Sequence, residues 1–153
     1  MEIRPDDLTG PEIQALLEAH LRLMHSITPP ESVHALDLRG LRQPEITFWT
    51  AWSDGDLLGC GALKELDSRH GEVKSMHTTA ARRGLGVGRA ILRHIEAEAV
   101  RRGYRRLSLE TGSMAAFAPA RHLYESSGYC YSGPFADYAL DPHSVFMTKE
   151  VGL

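Results

Sequence analysis

Only two cysteines occur in this chain, Cys60 and Cys130, and neither belongs to a C-x-x-C pair or stands beside clustered histidines. A zinc site and a disulfide framework are therefore not expected, and both thiols are read as reduced and structural. No run of about 18 apolar residues, the length a membrane span needs, occurs anywhere. The opening MEIRPDDLTG lacks the apolar core of a secretory leader. These absences predict a soluble, cytoplasmic protein. An excess of basic charge is missing too: the formal net charge of -3 argues against a general nucleic-acid binder. With 42% hydrophobic and 24% charged residues, no internal repeat and no linker, 153 residues predict one globular domain over 1–153.

What is present is concentrated. Eight of the 17 Lys and Arg are arginines between Arg82 and Arg106. They surround the stretch RRGLGVGRAIL, Arg82 to Leu92, in which three glycines alternate before an apolar pattern begins. Residues without a Cβ let the backbone curl closely around a ligand, and the helix that follows offers unpaired N–H groups, so the guest is expected to be an anion. A Walker A loop fails here, because Arg89 and Ala90 follow Gly88 where Lys and Ser or Thr are required. A dinucleotide fingerprint fits incompletely: Gly84, Gly86 and Gly88 give G-x-G-x-G, although Glu110 lies about 20 residues further on, where a ribose-binding carboxylate would be.

Periodicity supplies the frame. A first helix, capped by Thr9 or Asp7, carries Ile13, Leu16, Leu17, His20, Leu21 and Met24 on one stripe. The proline-rich segment 26–45 reads as a loop over a site, with a short helix within Val33 to Leu41. ITFWTAW and LLGCGALKEL flank Ser-Asp-Gly-Asp and form a hairpin. GEVKSMHTT follows as a strand with Glu72, Lys74, Met76 and Thr78 on one face and Val73, Ser75 and His77 on the other. Val87, Ile91, Leu92, Ile95 and Ala99 mark a long helix that stops at Gly103. YRRLSLET is a strand, APARHLYESSG a helix, and YCYSGPF and SVFMTKEV are the last strands. The expected order is α, short α, β, β, β, α, β, α, β, β, a single α/β domain. The eight histidines are scattered, and His20, His25 and His77 are read as structural.

Taken in order, the strand EVKSMHT, the loop Arg83-Gly84-Leu85-Gly86-Val87-Gly88, the helix behind it, the strand LSLET and the helix ending LYESSGY resemble the GNAT superfamily of acyl-CoA-dependent N-acetyltransferases. The likeness is to a small bacterial-type, single-domain member. It covers residues 45–150 well, and the N-terminal part only by the order of its elements. It implies a mixed, mostly antiparallel sheet with helices on both faces and a splayed strand pair that holds acyl-CoA. The co-substrate is then acetyl-CoA, with no metal. Its pyrophosphate would rest on backbone N–H groups of Arg83, Gly84, Gly86, Val87, Gly88 and Arg89, and its pantetheine arm would pair with Met76 and Thr78.

Direct transfer to an amine within a ternary complex needs two proton movements. An alkylamine with a pKa near 10 must lose a proton, and Glu72 is the first candidate base, with Glu110 the second. Tyr124, in LYESSGY, matches the family's general acid for the departing thiolate. Phe117 stands where the family often has an asparagine, which implies apolar packing in place of a polar contact to pantetheine. The acceptor is a small-molecule or peptide amine chosen by segment 26–45, Trp49, Trp52 and the stretch around Asp137 and Tyr138. Asp137 and Glu31 themselves read as solvated surface groups. Family habit adds homodimerisation. Two alternatives stand beside this reading: a non-catalytic acyl-CoA-binding module, and a dinucleotide-binding protein.

Overall fold

A computed structural model describes residues 1–152. Seven strands form one sheet: β1 (Glu2–Pro5), β2 (Ile46–Ser53), β3 (Asp56–Glu65), β4 (His70–Thr78), β5 (Arg106–Gly112), β6 (Cys130–Ser132) and β7 (Ser144–Glu150). Their spatial order is β1-β2-β3-β4-β5-β7-β6. Every neighbouring pair is antiparallel except β4 and β5, which are parallel. Four helices complete the chain: α1 (Pro11–Ile27), α2 (Leu38–Leu41), α3 (Val87–Arg101) and α4 (Ala118–Ser126). None of the described helices is long and apolar enough to cross a membrane.

The sheet has a core on each face. One gathers Val87, Ile91, Leu92, Ile95 and Ala99 of α3 against Trp49, Leu63, Leu107, Leu109 and Met147. The other packs Ile13 and Leu17 of α1 and Leu41 of α2 against Phe48, Cys60 and Ala62. Helix α3 lies close on β3 because two glycines leave room. A Cβ at Gly61 would come within 2.7 Å of Ile91 Cγ2 and of Met76 Sδ, and one at Gly59 within 2.5 Å of the His77 carbonyl.

Three expectations need correction. The chain begins with a strand: β1 pairs with β2 through its backbone while only Ile3 packs against the core, too little apolar alternation to read from four residues. Helix α1 is entered at Gly10 without a side-chain cap. Asp7 is instead consumed ahead of it, accepting from the N–H and hydroxyl of Thr9. The third correction concerns β4. Ala62 faces Lys74 and Cys60 faces His77, so Gly61 alone opposes both Ser75 and Met76. Ser75 takes φ +56°, the left-handed conformation of a β-bulge. The extra residue reverses the alternation. Glu72, Lys74 and His77 therefore share the α1 face, whereas Met76 and Thr78 turn to the α3 face, and the face expected for all of Glu72, Lys74, Met76 and Thr78 does not exist.

Strands β4 and β5 pair only from His70 to Glu72 against Arg106 to Ser108, then part. Lys74 and Glu110 are each two residues beyond the last pair, at the mouth of the opening.

Candidate active site

On the α3 side of the opening, Gly84 and Gly86 take φ +79° and +83°, and Gly86 caps α3. The first bond into the helix runs from Ala90 N–H to the Gly86 carbonyl. The N–H groups of Val87, Gly88 and Arg89 therefore have no intrahelical acceptor, which is the arrangement an anionic group needs. Gly88 is where three elements meet: a Cβ there would stand 3.2 Å from Leu123 Cδ2 of α4 and 3.8 Å from Thr78 Oγ1 of β4. The arginines around the loop are mostly occupied in holding the fold. Arg89 donates to Ser126 Oγ at 2.7 Å and Ser127 Oγ at 3.3 Å, Arg82 pairs with Asp56, and Arg101 and Arg102 pair with Glu98. Arg83 is exposed at the loop.

The α1 side carries the titratable groups. Glu72, only 2% exposed, accepts from Lys74 Nζ at 3.0 Å and from the Tyr138 hydroxyl at 2.5 Å, and Lys74 Nζ and the Tyr138 hydroxyl lie 3.0 Å apart. Ser108, the register partner of Glu72, hydrogen-bonds His70 Nε2. Next along β5, Glu110 lies opposite Phe146, with the Ser144 side chain close by. Burial raises the Glu110 carboxyl to about 7, offset in part by Ser144 and by the Lys74 ammonium. Tyr124 of α4 is 6% exposed, and burial and the neighbouring Glu110 charge keep its phenol well above the ordinary value. Tyr138 is raised too, first by burial and then by Glu72 and Glu110. Glu110 thus lies within electrostatic reach of both Tyr124 and Tyr138.

Two loops close this face. Ser32, buried between α1 and α2, donates to Asp141 of the loop between β6 and β7, and the ring of His34 meets that of Tyr138 edge-on at 5.0 Å. Within segment 26–45, Ser32 and His34 thus meet the loop 133–143 next to Glu72.

Glu72, Glu110 and Tyr138 come together on the α1 face; Tyr124 lies across the sheet in the α3-face core with Met76, Thr78 and the glycine loop, within electrostatic reach of Glu110. Sequence reasoning passed over Lys74, Ser32 and Asp141, whose partners are brought in by folding. Trp49 and Trp52 do not belong here: Trp49 is buried on the α3 face against His94, and Trp52 is engaged by Thr50 and Arg4 near β1. Asp137 and Glu31 are exposed. Phe117 packs its ring on Gly112, where a Cβ would come within 2.2 Å of it. His20 and His77 stack at 3.3 Å between α1 and β4, and both are held below the ordinary histidine value by burial. Cys60 is buried and Cys130 exposed, and both are free thiols.

A mostly antiparallel sheet that splays beside a glycine loop at a helix start is what the resemblance to acyl-CoA-dependent N-acetyltransferases implies. The chain belongs to the acetyltransferase (GNAT) family, whose model matches residues 13–129, and the dinucleotide alternative falls with that match. It is 60% identical over 151 residues to a Bacillus subtilis (strain 168) protein named as an uncharacterized N-acetyltransferase, YsnE, covering 99% of this chain and 100% of that one. It is 41% identical to the IAA acetyltransferase of Azospirillum brasilense, over 88% of this chain and 87% of that protein. Among solved structures, a Klebsiella pneumoniae protein crystallised as a candidate acyl-CoA N-acyltransferase superposes with a TM-score of 0.79 at 29% identity, over 98% of this chain and 97% of that one. A GNAT acetyltransferase from Elizabethkingia anophelis, solved with acetyl-CoA bound, has the same fold, with a TM-score of 0.70 at 17% identity over 98% and 97% of the two chains.

Proposed function

We propose that this acetyltransferase moves the acetyl group of acetyl-CoA directly to a primary amine, with Glu110 as base and Tyr124 as acid. The observation that carries the reading is the Glu110 carboxyl, raised to about 7 beside Tyr124 at the mouth of the splay. A base poised near the working pH combines a useful ionised fraction with proton affinity. Glu72, the first candidate from sequence, serves this site differently, because its Oε2 is already taken by Lys74 and Tyr138. It fixes the Lys74 ammonium that faces Glu110.

The loop N–H groups of Val87, Gly88 and Arg89, with Arg83 and Gly84 to Gly86 before them, cradle the pyrophosphate, and β4 at Met76 and Thr78 pairs with the pantetheine amides. The acceptor ammonium gives a proton to Glu110. The amine nitrogen then bonds to the thioester carbon, and the C–S bond breaks as Tyr124 donates its phenolic proton to the departing sulfur. The first proton passes from Glu110 to solvent; the nitrogen, which still carries one proton too many for an amide, loses it to Glu110 as the adduct collapses, and that proton restores Tyr124, so the products are the amide, the free thiol and one proton.

The first test is the melting temperature with acetyl-CoA, NAD and ATP at equal concentration, because a ligand of the native state raises apparent stability. Acetyl-CoA alone is expected to produce a shift. Turnover of an amine panel, followed by thiol release, should then fall about 100-fold or more in Glu110→Gln and in Tyr124→Phe. Binding with no turnover of any amine would make the protein an acyl-CoA-binding module instead. A wild-type rate in Glu110→Gln would transfer the base to another group.

A further inference from the structure

We propose that the acceptor is a primary amine borne by one flat, apolar body, an arylalkylamine, and that Phe135 and Tyr138 select it. The inference rests on the amine-transfer reading above and adds the class of acceptor to it.

An amine delivered to Glu110 places its next atoms against what surrounds that carboxyl on the α1 face, and those surroundings are rings. Phe146 is the register partner of Glu110. The ring of Tyr138 lies 5.6 Å from that of Phe146 and 5.0 Å from those of Phe135 and His34, and Phe135 reaches His70 at 6.1 Å. Phe135 and Tyr138 come from the loop between β6 and β7 and are half-buried, Tyr138 also having Lys74 Nζ 5.7 Å from its ring centroid, so each keeps part of its ring exposed.

The charged groups point the same way. A second ammonium on the acceptor would need a free carboxylate close to Glu110. Glu72 is taken by Lys74 and Tyr138, while Asp141 accepts from the Ser32 hydroxyl and the His143 N–H. An acceptor carboxylate would need a free cation, and Lys74 is already shared between Glu72 and Tyr138. Glu72, Lys74 and Asp141 are thus paired internally, which leaves an aromatic wall beside the amine subsite; the carboxylates of Asp137 and Glu31, unpaired among the described residues, are exposed. A polyamine or an amino acid would bring a second charge that none of the three paired groups is free to meet.

The test compares phenethylamine, spermidine and L-lysine as acceptors with saturating acetyl-CoA, reading thiol release. The expected result is a kcat/KM for phenethylamine at least tenfold above either of the others, the discrimination a shaped apolar site supplies. In Phe135→Ala, KM for phenethylamine should rise about tenfold at similar kcat, with the acetyl-CoA melting shift retained. If Phe135→Ala does not fold, Phe135→Leu should give a smaller rise in the same direction. Spermidine or L-lysine matching phenethylamine, or no change in KM in a folded Phe135 variant, would overturn the inference and leave the transfer reading intact. No turnover of any of the three or of the wider amine panel, with acetyl-CoA still bound, would overturn both.

Discussion

Glu110, the proposed base, is buried at the expense of stability. Burial lifts its carboxyl from the usual 4.5 to about 7, so the folded state favours the protonated form. Its contribution is complete below the unfolded value and is lost as pH rises from about 4.5 through 7. A shift of that size corresponds to at most about 3 kcal/mol, and residual solvent access reduces it to about 1–2 kcal/mol. Glu110→Gln is therefore expected to melt higher than wild type at pH 8 and to lose that advantage at pH 5. Equal differences in melting temperature at the two values would show that folding does not raise the carboxyl. The same ionisation predicts that kcat/KM declines below about pH 7, as the base becomes protonated.

At the scale of elements, the tightest tolerance is between β3 and its neighbours. Gly59→Ala would place a methyl 2.5 Å from the His77 carbonyl, with Val87 Cγ1 and Ile91 Cδ1 only 3.1 and 3.2 Å away, so backbone must move. A loss of about 1–3 kcal/mol, read as a lower urea midpoint, is expected, and an unchanged midpoint would mean that the sheet and α3 yield freely. The sequence told of these elements unevenly. From β2 onward each strand and helix announces itself locally: Asp54 and Gly55 with positive φ turn the hairpin, α3 carries its stripe, and Gly103 and Gly128 end helices. The bulge at Ser75 leaves no such mark, because serine is an ordinary strand residue and the reversal of faces depends on what β3 presents opposite it. The site divides in the same manner. The glycine loop, Glu72, Glu110 and Tyr124 sit in legible local patterns, whereas the hydroxyl of Tyr138 reaches Glu72 from 66 positions away and Ser32 meets Asp141 across 109.

At the scale of the whole molecule, a histidine pair responds to acid in the sense opposite to Glu110. His20 and His77 are stacked in the α1 core, His20 lowered to about 4 and His77 well below 6.5 by burial, with Arg83 and each other adding repulsion at His77. Both are neutral in the fold, so their contribution is complete above about pH 6.5 and is lost as pH falls towards 4. Urea midpoints should decline between pH 6.5 and 4.5, and His77→Phe should flatten that decline. A slope identical to that of wild type would remove this pair as its source.

The bulge gives β4 two addresses. Its first half, through Glu72 and Lys74, looks to the side proposed to take the acceptor, and its second half, through Met76 and Thr78, faces the loop expected to hold the nucleotide end of the donor. Taste in acceptors can therefore drift by changes before Ser75 while the donor stays fixed, so one strand lets a lineage explore new substrates without renegotiating its acetyl supply.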